Sequence, residues 1–158
     1  MSAAENLATI ERLYAAMNVH DGEAMAACYT SDATFQDPAF GKLSDGAGQD
    51  MWRMLTSRAD SDLAVTLADK TADDSTGTAH WLADYTFPDT GNKVHNDVRA
   101  RFVFRDGLIA EHVDTFNLRA WAAQALGTTG RILGFTPLLG PAITKKTSSR
   151  LAAYRATK

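Results

Sequence analysis

Alternating apolar and polar residues in the second half of the chain are the feature that most constrains its fold. Strands are predicted over residues 62–69, 78–87, 93–104 and 108–117, with turns rich in Asp, Gly and Thr between them. Successive side chains of a strand point to opposite faces of a sheet, so this period of two predicts one apolar and one polar face. The pattern therefore predicts an antiparallel sheet with one buried side.

The turns also predict a register for this sheet. A turn at residues 105–107 sets Ala100 opposite His112, and the preceding hairpin sets Tyr85 opposite Asn96. The predicted inner face is mostly apolar and contains Trp81, Ala83, Tyr85, Phe87, Asn96, Val98, Ala100, Phe102, Phe104, His112, Asp114 and Phe116. The predicted outer face is charged and contains His80, Asp84, His95, Asp97, Arg99, Arg101 and Glu111.

The first half of the chain predicts helices. Ser2 and Glu5 have the spacing of a capping box, and apolar residues then recur on one face of a helix over residues 3–18. Three further elements are predicted before the sheet: a helix capped by Asp21 and ending near Thr30, a strand over 33–37 and a helix over 49–58. Helices followed by a run of antiparallel strands predict an α+β fold.

Length and composition exclude several classes of protein. A chain of 158 residues is long enough for one domain with a core, and no apolar run approaches the roughly 20 residues that span a bilayer. The first residues lack the basic-then-apolar order of a signal peptide, so a cytoplasmic protein is expected. Cys28 is the single cysteine and is expected to be a small core residue. No disulfide, metal site or cofactor is expected, because neither Cys28 nor the four histidines have a zinc-binding spacing.

Charge divides the chain into two parts. Residues 1–114 hold nine basic and 19 acidic side chains, whereas residues 115–158 hold seven basic and no acidic ones. No nucleic-acid recognition motif accompanies the basic residues, so we expect the tail to lie on the acidic body of its own or a partner subunit. The predicted organisation is one α+β domain over residues 1–126, followed by a basic, glycine-punctuated helical tail over residues 127–158.

The order of these elements, together with two motifs, resembles a known family. Residues 29–38 read YTSDATFQDP after a helical pair, and residues 106–109 read DGLI between the last two strands. Residues 5–120 resemble the SnoaL-like branch of the nuclear-transport-factor-2-like superfamily. The resemblance implies a cone-shaped fold in which a curved antiparallel sheet wraps around N-terminal helices and encloses an apolar pocket. It also implies a homodimer, for which the outer sheet face is the expected surface.

The ketosteroid isomerases of this superfamily imply roles for particular residues. They use a carboxylate in an Asp-Pro step to move a proton next to a carbonyl group. The resemblance assigns that base to Asp37, which precedes Pro38, and assigns the tyrosine that binds the developing oxyanion to Tyr14. By the predicted register, Ala100 stands where the family has a second donor, an aspartate. The residues that would replace this donor are Asn96, Tyr85 or His112.

Two other branches imply different chemistry. Epoxide hydrolases use an Asp-Arg-Asp group with an Arg-x-Asp step on one strand. Here the order is reversed, Asp97-Val98-Arg99, and the two charged residues are predicted to point away from the pocket. Polyketide cyclases need one acid/base carboxylate in an apolar cavity, a role open to Asp114 or Asp37.

The residues themselves favour the same positions. A carboxylate walled by aromatic groups binds its proton more tightly, which suits Asp37 as a general base, although Asp before Pro also forms turns. His112 and Asp114 lie two apart on one strand face, where they would share a proton or form a simple polar pair. Tyr14 would donate to a carbonyl or only bury its ring. The expected ligand-binding residues, which would serve equally as core, are Met17, Phe35, Trp52, Trp81, Tyr85, Asn96, Ala100 and Phe116.

The sequence therefore predicts a protein that binds an apolar cyclic small molecule and catalyses metal-free proton transfer of the isomerase or cyclase kind. Asp37 would be the base, Tyr14 would polarise a carbonyl group, and His112 with Asp114 would form a second acid/base pair. Whether the protein is an enzyme is left open. The alternatives are a non-catalytic carrier or sensor of small ligands, and a dimeric interaction module. No nucleic-acid or membrane partner is expected.

Overall fold

The structure is a computed structural model that describes residues 2–158, which form one sheet and a set of helices. The helices are α1 (Ala3–Asn18), α2 (Gly22–Ala26), α3 (Ala47–Thr56), α4 (Leu118–Ala125), α5 (Thr128–Leu133) and α6 (Leu139–Ala156). The strands are β1 (Tyr29–Asp37), β2 (Gly41–Leu43), β3 (Ala64–Ala72), β4 (Thr76–Thr86), β5 (Lys93–Arg105) and β6 (Leu108–Thr115). The curved sheet has the order β2-β1-β6-β5-β4-β3, and the β1–β6 pair is parallel while the other pairs are antiparallel. The predicted α+β fold class is confirmed.

Helix α1 spans the residues that the sequence predicts. Ser2 Oγ accepts a hydrogen bond from the Glu5 backbone N–H at 3.3 Å, and Glu5 Oε2 accepts one from the Ser2 backbone N–H at 2.7 Å. These two bonds complete the predicted capping box. The buried face of the helix includes Ile10, Leu13 and Met17. Because this face is apolar, α1 packs against the sheet at β3 and β4.

The predicted pairing of β5 with β6 is wrong by two residues. Ala100 pairs with Asp114, whereas the sequence register placed it opposite His112. The cause is local. Asp106 and Gly107 form a two-residue turn with φ angles of 54° and 77°, and a β-bulge follows just beyond this turn.

The predicted pairing of β4 with β5 also differs by two residues, since Asn96 pairs with Ala83 rather than with Tyr85. In β4 and β5, this shift of two leaves every side chain on its predicted face. The buried inner face includes Trp81, Val98, Ala100, Phe102, His112 and Asp114. The exposed outer face includes Asp84, His95, Asp97, Arg99, Arg101 and Glu111. The alternation therefore identifies the two faces, although it does not identify the cross-strand partners.

The C-terminal helix α6 is fixed to the rest of the chain by apolar and ionic contacts. Leu139, Ile143 and Leu151 are buried, and Thr147 Oγ1 donates to the Ala39 carbonyl at 2.9 Å. The ion pairs between α6 or the residues that follow it and the rest of the chain are Lys146 with Asp89, Arg150 with Asp89, Arg155 with Asp50 and Lys158 with Asp50. The basic tail thus packs on acidic groups of the same chain, beside α3 and the β4–β5 turn.

Gly130 marks the closest approach of α5 to α4. A Cβ atom at this position would lie 1.9 Å from the Ala122 carbonyl oxygen. Gly130→Ala is therefore expected to lower the free energy of unfolding by about 1–3 kcal/mol, because α5 would have to move away. Gly140→Ala is the matched control, since nothing lies within 4 Å of a Cβ there and alanine favours a helix. Urea unfolding measures both changes, and equal effects would show that the close approach is not required.

Three further findings bear on other kinds of function. Within residues 2–158, no helix is both long enough and apolar enough to cross a membrane. In the same part of the chain, His, Cys, Asp and Glu side chains form no group of three or more that could hold a metal ion. Cys28 is buried in the core, and burial raises the pKa of its thiol.

Candidate functional site

A cavity of about 480 Å³ lies between the inner face of the sheet, α3 and α6. Its volume falls in the usual range for small-ligand sites, roughly 300–1,000 Å³. Most of its wall is apolar and includes Met51, Trp52, Trp81, Val98, Phe116 and Ile143. Among the described residues, two carboxylates line it, Asp37 from β1 and Asp114 from β6. Paired acids in an apolar surrounding are the groups that acid/base chemistry needs.

The structure brings most of the predicted site residues to this cavity. Its wall includes Met17, Asp37, Trp52, Trp81, Tyr85, Asn96, Asp114 and Phe116. The other four predicted residues, Tyr14, Phe35, Ala100 and His112, are buried but do not line it. Phe35 packs edge-on against Trp52 and His112, with ring centroids 5.4 and 5.0 Å apart. Phe35 and His112 therefore support the wall from behind.

Asp37 ends β1 and faces the cavity from a turn. Its Oδ1 accepts hydrogen bonds from the backbone N–H groups of Ala39, at 2.9 Å, and Phe40, at 2.5 Å. Burial nevertheless raises the pKa of Asp37 to about 6, and the nearby charge of Asp114 acts in the same direction. Asp37 therefore changes its protonation state close to neutral pH, as a general base or acid does.

Asp114 is held by two donors on one oxygen. His112 Nε2 lies 2.8 Å from Asp114 Oδ1, and Trp81 Nε1 donates to the same atom at 3.5 Å. Both His112 and Asp114 are almost fully buried. Among residues 2–158, nothing donates to the other carboxylate oxygen, Oδ2, which leaves it available to a ligand in the cavity.

The hydrogen bonds behind Asp114 run in one direction. Trp52 Nε1 donates to the Tyr29 hydroxyl at 2.8 Å, and this hydroxyl lies 2.8 Å from His112 Nδ1. Asp114 Oδ1 accepts from Trp81 Nε1, so His112 Nε2 is assigned as the donor to the same oxygen, and in this tautomer Nδ1 accepts the proton of Tyr29. This chain of bonds fixes the tautomer of His112 and the orientation of Asp114.

Tyr29 is a residue that the sequence reasoning missed. The predicted second helix extended to residue 30 and hid it, whereas β1 begins at Tyr29. Tyr29, like Phe35 and Asp37, has an odd residue number. A longer predicted strand with a period of two would therefore have placed it on the same face as those residues. Because a bulge lies between Tyr29 and Thr34, the alternation is also locally interrupted.

Tyr85 forms a second indole–hydroxyl pair, at the cavity wall. Its hydroxyl accepts a hydrogen bond from Trp121 Nε1 at 2.7 Å, and no acceptor for its own proton lies within the described part of the chain. Burial raises the pKa of Tyr85, and the nearby charge of Asp37 also raises it. Tyr85 therefore presents an unused proton in the cavity that Asp37 also lines. Trp121, on α4, is a further residue that the sequence reasoning missed.

Tyr14 is placed differently from the sequence expectation of a carbonyl donor. Its ring packs on Trp81 with centroids 5.4 Å apart, and the side chain is not part of the cavity wall. Its hydroxyl is buried without a hydrogen-bond partner among residues 2–158. Burial raises the pKa of Tyr14 well above its usual value, with a further contribution from Asp114. Tyr14 thus lies behind Trp81, close to the second carboxylate.

A curved sheet packed on N-terminal helices is the fold of the nuclear-transport-factor-2-like proteins. The chain belongs to the SnoaL-like domain family, whose sequence model matches residues 10–112. The resemblance inferred from residues 29–38 and 106–109 is therefore confirmed.

Solved structures with the same fold come from proteins to which different activities are assigned. An LEH-like epoxide hydrolase from M. tuberculosis is 17% identical, with 83% of this chain and 95% of that chain covered and a TM-score of 0.66. A proposed isomerase from Bacillus subtilis is 20% identical, with 80% and 96% covered and a TM-score of 0.67. A proposed polyketide cyclase from Xanthomonas campestris is 23% identical, with 78% and 98% covered and a TM-score of 0.65. At these identities the likeness shows the fold alone. No curated protein matches the sequence significantly.

Proposed function

We propose that the protein binds an apolar cyclic carbonyl compound in the cavity and catalyses proton transfer at the carbon next to the carbonyl group. The observation that carries this proposal is Asp37, a carboxylate with a pKa of about 6 in an apolar wall, in the same cavity as the unused proton of Tyr85. A base with a pKa near neutral is both largely ionised and strong enough to take a carbon-bound proton. The isomerase-like and cyclase-like relatives support the reaction class.

The proposed step assigns each proton and electron pair. The Asp37 carboxylate takes the proton from the carbon, and the electron pair of the broken C–H bond forms the C=C bond of an enolate. The negative charge moves to the oxygen, which accepts a hydrogen bond from Tyr85 and, on the same wall, from the Asn96 amide. Protonated Asp37 then returns the proton to a second carbon in an isomerisation. In a cyclisation the enolate carbon would instead attack a second carbonyl carbon of the same ligand, the π electrons of that C=O bond would move to its oxygen, and protonated Asp37 would give its proton to that oxygen.

Asp114 is proposed as the second acid/base group of the site. The chain from Trp52 through Tyr29 and His112 holds its Oδ1, so only Oδ2 is available to exchange a proton with the ligand. A carboxylate with one oxygen fixed by donors is oriented before the ligand binds. His112 is then a positioning residue, because it reaches the ligand only through Asp114.

Two tyrosine variants test which hydroxyl binds the carbonyl oxygen. Exchange of carbon-bound hydrogen for deuterium in cyclic ketones of one to three rings, followed by mass spectrometry in D2O, measures the proposed step without a known product. Tyr85→Phe is expected to slow exchange by about 10²–10³-fold, the usual cost of losing one oxyanion donor. Tyr14→Phe, whose hydroxyl does not line the cavity, is expected to slow exchange less. The reverse order would return the role to Tyr14.

A non-catalytic carrier or sensor is the second candidate. The resemblance assigned Ala100 to the position of a second oxyanion donor, and alanine has no donor, so on that assignment the site would have fewer donors than the isomerases imply. A carrier would bind the ketones, as measured by calorimetry, yet leave their exchange rate at that of the buffer. This outcome would overturn the catalytic proposal and keep the cavity as a binding site.

The outer sheet face remains the proposed surface for a homodimer, which sedimentation of the full chain tests.

A further inference from the structure

We propose that the ligand of this cavity carries one anionic group, a carboxylate or sulfonate, which binds at the cavity mouth against α6. The inference rests on the proposed function in one respect, namely that the cavity is a ligand site. It adds a chemical class to that ligand: an apolar ring system with a single acid at one end.

Charge is distributed unevenly along the cavity. Of the two carboxylates that line it, Asp114 is 3% exposed and Asp37 is half-buried. The lining cations are Arg58, Lys146 and Arg150, whose side chains are 42%, 57% and 46% exposed. The buried end of the cavity is therefore acidic, and the solvent-facing mouth is basic.

The cations of α6 are only partly neutralised. Lys146 Nζ lies 3.1 Å from Asp89 Oδ2, and the Arg150 guanidinium contacts the same oxygen. One carboxylate thus faces two cations, which leaves one positive charge without a counterpart in this cluster. Asp89 itself does not line the cavity, whereas both cations do. An anion at the mouth would compete with Asp89 for these two cations.

The third cation supports the same polarity. Arg58 pairs with Asp60 at 2.9 Å, but Asp60 is 78% exposed and is not part of the wall. Exposed pairs of this kind contribute little and exchange readily with other partners. The apolar wall between the mouth and Asp37 suits a ring system, so an amphipathic acid would match the cavity at both ends.

Two fluorescent probes with the same ring system test the proposal. 1-Anilinonaphthalene-8-sulfonate carries one anionic group, and N-phenyl-1-naphthylamine lacks it. We expect the full-length protein to bind the sulfonate about tenfold more tightly at low salt, as one charge-assisted contact provides. The preference is expected to shrink in 0.5 M NaCl because salt screens exposed charges. Competition between the probes establishes that they share one site.

Variants on α6 and variants on the β4–β5 turn are expected to change the affinity for the sulfonate probe in opposite directions. The double variant Lys146→Gln with Arg150→Gln is expected to weaken sulfonate binding about tenfold and to leave the neutral probe unchanged. Asp89→Asn is expected to strengthen sulfonate binding, because it removes the carboxylate that competes for both cations. Lys145→Gln is the matched control, since Lys145 is a neighbouring cation on α6 that does not line the cavity.

The outcomes separate this proposal from the function on which it rests. Equal binding of the two probes, or a double variant without effect on the sulfonate, would overturn the anionic group and leave the ligand site in place. Failure of both probes and of the cyclic ketones to bind would overturn the ligand site and this inference together. A loss of sulfonate binding in Lys145→Gln as large as in the double variant would also overturn it, because the charge of the whole tail rather than the mouth would then be responsible.

Discussion

Asp37→Asn is expected to make the protein more stable above pH 6 while it removes the proposed activity. The pKa of Asp37 is about 6 in the folded protein, against an ordinary value of 3.8. The folded state therefore binds this proton more tightly than the unfolded chain does. Its stabilising contribution is complete below about pH 4 and is lost as the pH rises through about 6, at a cost of about 3 kcal/mol by pH 7.

Asparagine removes this cost because it has the shape of the carboxyl group but does not ionise. Its Oδ1 can accept the same backbone N–H groups, those of Ala39 and Phe40. Urea unfolding of wild type and variant at pH 4 and pH 8 is the measurement. The two free energies of unfolding are expected to agree at pH 4, and the variant is expected to exceed the wild type by about 3 kcal/mol at pH 8.

Asp73→Asn is the matched control for this prediction. Asp73 Oδ1 also accepts two backbone N–H groups, those of Ser75 at 2.8 Å and Thr76 at 2.6 Å, but Asp73 is exposed. These backbone bonds lower its pKa to about 2. Its carboxylate therefore stabilises the fold above the ordinary pKa, so Asp73→Asn is expected to be less stable than wild type at pH 7. An Asp37→Asn variant that is also destabilised at pH 8 would mean that Asp37 is not an isolated buried acid.

In the deuterium-exchange assay, Asp37→Asn is expected to slow the reaction by about 10²–10⁴-fold, the usual contribution of a positioned base. Since the same substitution is expected to stabilise the fold above pH 6, a loss of exchange measured above that pH could not be attributed to unfolding. Exchange at the wild-type rate would remove Asp37 from the proposed mechanism and leave Asp114 as the base.

Sequence patterns located the inner face of the site because that face depends only on the period of two. Asp114 and His112 lie on the buried side of β6 even though the predicted pairing partners were wrong. A slip of two residues is invisible to the alternation, and here a two-residue turn and a bulge together produce one between β5 and β6. The alternation is interrupted only at the bulge, where Ile109 and His112 are both buried. Helix α1 was predicted fully because its start is encoded locally, by Ser2 and Glu5.

The parts of the site that the sequence did not reveal depend on contacts between distant segments. Tyr29 is joined to His112 through the parallel β1–β6 pair, for which there is no local signal. Lys146 and Arg150 reach the cavity because α6 folds back over it. The excess of basic residues in the tail predicted that it would pack on acidic groups, but net charge alone does not determine where on the molecule the tail lies. Which face of α6 meets the cavity follows from the burial of Leu139, Ile143 and Leu151.

His112→Ala is expected to lower the free energy of unfolding by about 3–5 kcal/mol. His112 is surrounded by aromatic rings, with Phe102 at 4.5 Å and Phe35 at 5.0 Å between centroids, so its removal leaves a cavity in the core. It also leaves the Tyr29 hydroxyl without its acceptor and Asp114 Oδ1 without its nearer donor. Buried polar groups that lose their partners add their desolvation cost to that of the cavity.

His80→Ala is the control for His112→Ala, because it removes a histidine–aspartate hydrogen bond that is not part of the buried network. His80 Nε2 lies 2.8 Å from Asp97 Oδ1, the same distance as between His112 and Asp114, but on the outer face of the sheet where Asp97 is exposed. An exposed pair contributes little, so His80→Ala is expected to cost less than about 1 kcal/mol. Urea unfolding at pH 7 compares the two variants. Equal costs would mean that the Trp52–Tyr29–His112–Asp114 chain does not act as a connected buried network, and that Asp114 needs no support from behind the cavity wall.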